Sequence, residues 1–450
     1  MKKLSHSVNS VNTFNPASTL PLLLLVLTTL VFTGCERKTT TPVATPTASP
    51  SSLSADPAIG AATIGLWQTA ARQLQDCGDG SQTLRNQIGA LLADPTEQSL
   101  ADARQAWHQT HNRLLAFSVF FAIADSAPGL FGELTAHRYH LDGQPIQPGF
   151  IDYFDVYQQS GIVNDMAMTL SAEALRNQHG ITDNTDISIG FHAMEYLLWG
   201  ERGQRPVEDF APITTLTAEQ EQMDLRTVDL SNNRRRIYLQ LLAELLVDDC
   251  AKLHQHWLDQ NRELYQNYHG LQTGSQLQLW QTALTHVVTE LAQTLDGLNG
   301  DDKSGGAGNS ATTDPDLEIP GVHNQFAGLE PQAIASILAG MTSLLYGSDA
   351  AQTEASEPGL AQWILPGLPP LPTDPEPNDQ SQQPDSPAQL STLAQALSET
   401  LTSLEAESSW PPSAASQQKL SVLLQTLNLG LKLSGQDADA PPQEDSSPDK

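Results

Sequence analysis

Between residues 58 and 433 apolar side chains recur at spacings of three and four, the period of one face of an α-helix. Ile64, Leu66, Trp67, Ala70, Ala71 and Leu74 open the series. A second helix is predicted after Asp94-Pro95-Thr96, with Asp94 as cap and Pro95 at the first position. Its stripe runs through Leu100, Ala103, Trp107, Leu114, Leu115 and Phe117 to Phe121. Residues 234–257 form a long amphipathic helix whose inner stripe is Leu239, Leu242, Leu246, Cys250 and Leu253. Further helices are predicted over residues 275–298, 331–346, 388–405 and 415–433. No stretch alternates for long enough to argue for a strand, so periodicity predicts a mostly helical protein.

The ends break this pattern. Residues 20–32 are an apolar run too short to span a bilayer and of the right length for the core of a signal peptide. The run ends in Phe32-Thr33-Gly34-Cys35, which resembles a bacterial lipobox with cleavage after Gly34. Residues 1–34 therefore read as a lipoprotein signal, and Cys35 as the acylated residue. Several acyl chains on one cysteine satisfy the two-anchor requirement for stable membrane attachment. Glu36 is not the aspartate that retains such lipoproteins in the inner membrane, which points to the outer membrane, facing the periplasm. Residues 35–57, rich in Thr, Pro and Ser, read as a disordered tether reaching about 25–30 Å as a flexible coil. Residues 301–316 form a Gly- and Asp-rich flexible loop, and residues 434–450 an acidic, Pro-rich disordered tail.

Charge narrows the partners. The chain carries −30, and its first 34 residues hold two lysines and no acid, which leaves −32 from Cys35 onward. Such a surface repels nucleic acid, so no nucleic-acid partner is expected. Beyond Cys35, Cys77 and Cys250 remain. In an oxidising compartment they can pair as a disulfide or stay as two buried thiols, and their spacing does not choose.

The chemistry concentrates in Gly190-Phe191-His192-Ala193-Met194-Glu195-Tyr196-Leu197-Leu198-Trp199-Gly200. On a helix His192 and Glu195 share a face and can aim at one point. In an apolar run they need partners or a metal, because leaving them unpaired costs roughly 1–3 kcal/mol each. Asp183, Asn184, Thr185 and Asp186 are turn and cap candidates before this helix, Gly190 permits close backbone approach, and Gly200 is a C-terminal stop. Asp142 to Tyr153 is a turn-rich stretch expected to open a helix with Asp152 in its first turn. Arg234, Arg235 and Arg236 read as a solvated or ion-paired face. His256 and Asp259 read as a surface pair, and His286 and Glu290 share a helix face.

The Gly-x-His-x-x-Glu stretch with its aromatic, Leu-Leu-Trp-Gly ending resembles the signature of the imelysin family, the M75 peptidase-like, iron-regulated periplasmic proteins. The resemblance extends to the proline-containing segment ending in Asp152-Tyr153, to the arginine-rich start of the 234–257 helix and to Leu241–Asp249. It implies an all-α fold of two antiparallel helical bundles with long loops. One bundle would cover residues 58–300 and a diverged second one 317–433, with the signature helix facing the cleft between them. It also implies a metal ion, iron first and zinc or copper as alternatives, divalent or trivalent. His192 and Glu195 would be ligands, with Asp152, Glu318 and His323 as further candidates. The chain departs from the family pattern at several positions. His111 stands for an Arg four residues after Trp107, Ser118 and Phe121 replace a Glu and an Arg, and Pro331 falls where a second His is expected.

Three functions follow. The first is a lipid-anchored envelope protein that binds metal and works in iron uptake or handling, with a periplasmic or outer-membrane iron-uptake protein as partner. The second is a metallopeptidase, which the chemistry disfavours. A zincin helix supplies two imidazoles and a separate glutamate base, whereas this helix supplies one imidazole. The third is a metal-free helical lipoprotein that binds a protein partner and uses His192 and Glu195 as a buried clamp.

Overall fold

The computed structural model describes residues 57–259, 262–299, 326–347, 359–365, 386–408 and 411–438. Cys35, Glu318, His323, the signal segment, the 301–316 loop and the tether short of Pro57 lie outside the described residues. Among the described residues the fold is all-α, with seventeen α-helices and two short 3-10 helices. The isolated bridge between Phe154 and Tyr157 is the extended pairing recorded there. All described residues belong to one contact unit, spanning 53–450.

The first group of helices is built on Pro57–Ala93, Glu97–Leu115 and Ser231–Trp257. The predicted inner stripe of the last, Leu239 to Leu253, is buried throughout. It lies antiparallel to Pro57–Ala93, and three contacts set the register. Arg236 Nη2 donates to Leu92 O at 2.7 Å, the sulfurs of Cys77 and Cys250 meet at 3.3 Å, and Trp257 Nε1 donates to Trp67 O at 3.1 Å. The Trp67 and Trp257 rings stack with centroids 3.9 Å apart, burying two large apolar surfaces against each other.

A second group comprises Ser118–Ser126, Thr273–Asn299, Glu330–Tyr346, Ser386–Glu405 and Ala414–Ala438. It draws helices from both sides of residues 300–325, so its members are not contiguous in sequence. Pro331 sits in the first turn of Glu330–Tyr346, where its missing N–H breaks no helical bond. Gly340 of that helix lies under Ala116, whose carbonyl oxygen would be 2.1 Å from any added Cβ.

Local corrections follow from capping and burial. The second helix is capped by Thr96 rather than Asp94. Thr96 is extended, its side chain accepts from the Ser99 N–H, and Ser99 Oγ accepts from the Thr96 N–H. The predicted run to Phe121 breaks at Ala116–Phe117 into two helices. Asp152 ends the short helix Pro148–Ile151 as its C-cap instead of opening one. Arg234 and Arg235 are buried, Arg235 in an ion pair with Asp152 and neither on a solvated face, and His256 is buried rather than on the surface. The last helix runs past residue 433 to Ala438, into the stretch expected to be disordered.

The signature helix Gly190–Trp199 is buried at every position. Gly190 enters it at φ +87°, with the carbonyl oxygens of His140 and Leu141 at 2.7 and 2.6 Å from where a Cβ would lie. This close approach brings the end of Glu133–Asp142 against the start of the signature helix. Gly190→Ala is therefore expected to lower stability by at least about 2 kcal/mol in urea unfolding, from left-handed strain plus overlap. Gly89→Ala, in an open mid-helix position, is expected to raise it by about 0.5–1 kcal/mol.

Candidate metal centre

Hydrogen bonds from neighbouring helices strap the signature helix in place. Trp107 Nε1 donates to Phe191 O at 3.0 Å, and Arg104 donates to Leu198 O at 2.8 and 3.2 Å. The Tyr196 hydroxyl donates to Tyr153 O at 2.8 Å. Just before the helix, the Tyr238 hydroxyl donates to Ser188 O at 2.7 Å. His192 and Glu195 are thus fixed one turn apart on a face with almost no solvent.

Their partners come from two other helices. His192 Nε2 lies 3.0 Å from Asp142 Oδ1, and His111 Nε2 lies 2.7 Å from the same oxygen. Asp142 is the last residue of Glu133–Asp142, and His111 lies on Glu97–Leu115. The two imidazoles are 5.2 Å apart and nearly perpendicular, a disposition that points both toward the shared carboxylate. His111, Asp142 and His192 are all buried, and their donor atoms lie within 4.8 Å of one another. Ligand atoms bonded to a first-row ion at about 2.0–2.2 Å stand about 3 Å or more apart. The two nitrogen-to-carboxylate separations, 2.7 and 3.0 Å, are close to that spacing. Two imidazoles and a carboxylate suit iron(II) and zinc rather than magnesium.

Glu195 occupies a different place from the one expected of a ligand. Its Oε2 lies 3.0 Å from His192 Nδ1, and its Oε1 accepts the backbone N–H groups of Phe326 and Ala327, each at 2.9 Å. A carboxylate on the far nitrogen of a histidine fixes the ring's orientation and raises its basicity, the usual outer partner of a metal-binding imidazole. Burial alone would lower the His192 pKa. Hydrogen bonds to Asp142 and Glu195, with their charges, outweigh it and raise the pKa to about 10. Burial would raise the Asp142 pKa, but the charge of His111 and the bonds from both imidazoles hold it well below the ordinary carboxylate range.

Asp152 is not among the three converging groups. Arg235 takes its carboxylate in a two-pronged contact, Nε to Oδ2 at 2.6 Å and Nη2 to Oδ1 at 3.1 Å, and Arg205 Nη1 adds a third at 3.0 Å. Arg205 also pairs with Asp209 at 2.9 Å and lies over the Tyr153 ring at 4.8 Å. Of the arginine run, Arg234 is bonded to the carbonyls of Val163, Ile162, Asp165 and Met168, and Arg236 to those of Phe210 and Leu92. These cations knit the fold together. His286 stands 3.9 Å from Glu290 and 3.8 Å from Asp125 on a half-exposed face.

In the sequence His111 stands out only as a departure from the family pattern and Asp142 only as the start of a turn-rich stretch. The available signal was the spacing of His111 from Trp107, one helical turn, which puts the imidazole on the same buried stripe. Nothing local marked Asp142, because a helix-terminal acid is ordinarily a surface residue.

An all-α fold built around a buried imidazole–carboxylate group on a Gly-x-His-x-x-Glu helix defines the class. The family model described as imelysin, peptidase M75, matches residues 70–371, and the chain belongs to that family. Two solved structures share the fold at 14% identity. One is described as an iron-regulated protein A precursor of Parabacteroides distasonis ATCC 8503, with TM-score 0.56 over 84% of this chain and 95% of that one. The other is an imelysin-like protein of Psychrobacter arcticum 273-4, with TM-score 0.50 over 83% and 94%. No functionally curated protein matches. Among the described residues no helix is long and apolar enough to cross a membrane.

Two outcomes follow from these charges. Asp152→Asn leaves Arg205 and Arg235 facing each other in a buried site, and a loss of about 3–5 kcal/mol is expected in denaturant unfolding. The pair formed by His192 and Asp142 makes the metal-free protein pH-sensitive in two directions. The His192 contribution is complete below its unfolded pKa of about 6.5 and is lost as pH rises toward its folded value of about 10. The Asp142 contribution is complete above the ordinary carboxylate pKa of 3.8 and is lost as pH falls through its depressed folded value. The melting temperature should therefore decline from pH 7 to pH 9, and His192→Gln should flatten that decline.

Proposed function

We propose that this imelysin-family protein binds a single transition-metal ion between His111, Asp142 and His192, with Glu195 orienting His192. The observation that carries the reading is the convergence of two imidazoles on one carboxylate, drawn from three separate helices into a buried site. Iron(II) is the favoured ion, because two histidines and one carboxylate are its common protein ligand set, and zinc is the alternative. Bound there, the ion would act as a strong local positive charge. His192 would release a proton to solvent on binding it, so apparent affinity would rise with pH. The name of the Parabacteroides neighbour supports a connection with iron.

The protein's place in the cell is part of the same proposal. The Phe32-Thr33-Gly34-Cys35 sequence supports acylation at Cys35 and attachment to the outer membrane, facing the periplasm. There the protein would take part in metal uptake or handling beside an iron-uptake protein. Peptidase chemistry is not favoured, since Glu195 is buried and its carboxylate is engaged by His192 and by the backbone N–H groups of Phe326 and Ala327.

One observation favours a second reading, a metal-free clamp that leaves the protein to bind a partner. Asp142, His111, His192 and Glu195 satisfy one another by hydrogen bonds as they stand. Metal analysis of protein purified without chelator and reconstituted with iron(II) or zinc separates the two. Stoichiometric metal in the parent is expected, lost in His111→Ala and His192→Ala, with Glu195→Gln weakening affinity about 10–100-fold. His111→Arg is expected to keep the fold by pairing with Asp142 while abolishing binding. A parent that takes up no metal, yet melts lower as His111→Ala, establishes the clamp instead.

A further inference from the structure

We infer that Cys77 and Cys250 become a disulfide when the chain folds in an oxidising compartment, covalently joining the helices Pro57–Ala93 and Ser231–Trp257. The sulfurs lie 3.3 Å apart, and both residues are 1% exposed. A covalent S–S bond is about 2.05 Å long, so the sulfurs must approach by about 1 Å. The helix pair is pinned on both sides of them. Arg236 holds Leu92 toward one end, and the Trp67–Trp257 stack with its hydrogen bond holds the other. The two sulfurs therefore face each other in a fixed register, and neither helix can slide to part them. Outside the segment that resembles a signal peptide and lipobox, these are the chain's remaining cysteines, so no third thiol in the folded part competes for pairing.

Burial fixes when the bond forms. In the docked pair the contact with Cys77, together with burial, pushes the Cys250 thiol well above the ordinary range, and both sulfurs are shielded from an external disulfide. Oxidation belongs to folding, before the two helices close. One thiolate attacks an external disulfide, carried by a thiol oxidoreductase or by glutathione disulfide, and releases one of its sulfurs as a thiol. The second cysteine thiolate attacks the resulting mixed disulfide, forming Cys77–Cys250 and releasing the other external sulfur as a thiol. The chain gives up two protons and two electrons, and the external disulfide is reduced to two thiols. The bond ties residues far apart in sequence and restricts the unfolded chain accordingly.

The test uses the full chain exported through its own signal, denatured in the presence of an alkylating agent and mapped by peptide mass. The expected result is a reducible peptide pair containing Cys77 and Cys250, lighter by two hydrogens than the separate peptides. Reduction should lower the melting temperature by roughly 5–10 °C. The double variant Cys77→Ser with Cys250→Ser should melt near the reduced parent and be indifferent to reductant. Full alkylation of both cysteines in the exported protein overturns the inference, as does a bond from either one to Cys35. Metal content plays no part in these readouts, so the inference stands or falls apart from the metal site.

Discussion

A carboxylate without water must find its counter-charges inside the fold, and this protein is organised around two that do. Asp152 is shared by Arg235 and Arg205, and Asp142 by His111 and His192. Removing an ion from water carries a penalty of several kcal/mol, offset only by close, well-directed partners. Each acid therefore dictates where other helices must lie. Asp152 draws the start of Ser231–Trp257 toward the loop after residue 199. Asp142 draws Glu97–Leu115 and the signature helix to the end of Glu133–Asp142.

The two acids differ in what they can exchange. Arginine stays charged in proteins, so the Asp152 cluster is a permanent ion network and a structural joint. Imidazole can hold a proton or a metal ion through the same nitrogen, so the Asp142 cluster, unlike the Asp152 one, is built of groups that titrate. The family-like pattern carries Arg where this chain has His111. An arginine there would make the second cluster resemble the first, a closed salt bridge. The imidazole at residue 111 is thus the residue type that leaves this cluster able to exchange protons where an arginine would stay charged.

Glu195 connects this chemistry to the rest of the architecture. One oxygen orients His192, and the other holds the chain where it returns at Phe326 and Ala327. Phe326 then packs edge-on to Tyr196 at 5.0 Å, one residue along the signature helix. A single carboxylate thereby links the site to the second group of helices.

The sequence by itself determined the helical class, the long Leu-striped helix, the terminal helices and the signature turn carrying His192 and Glu195. All of these are local: a period of 3.6, a proline or a glycine, and a spacing of three are readable over a few residues. It could not determine that Glu195 faces a backbone 131 residues away, that Asp142 rather than Asp152 meets His192, or that Arg235 is buried. Those outcomes follow from which helices dock, because an isolated Asp or Arg carries no sign of the partner that will desolvate it. Only the tertiary structure brings His111, Asp142 and His192 together, since the attraction that offsets their desolvation exists only when the docked helices bury them as a group.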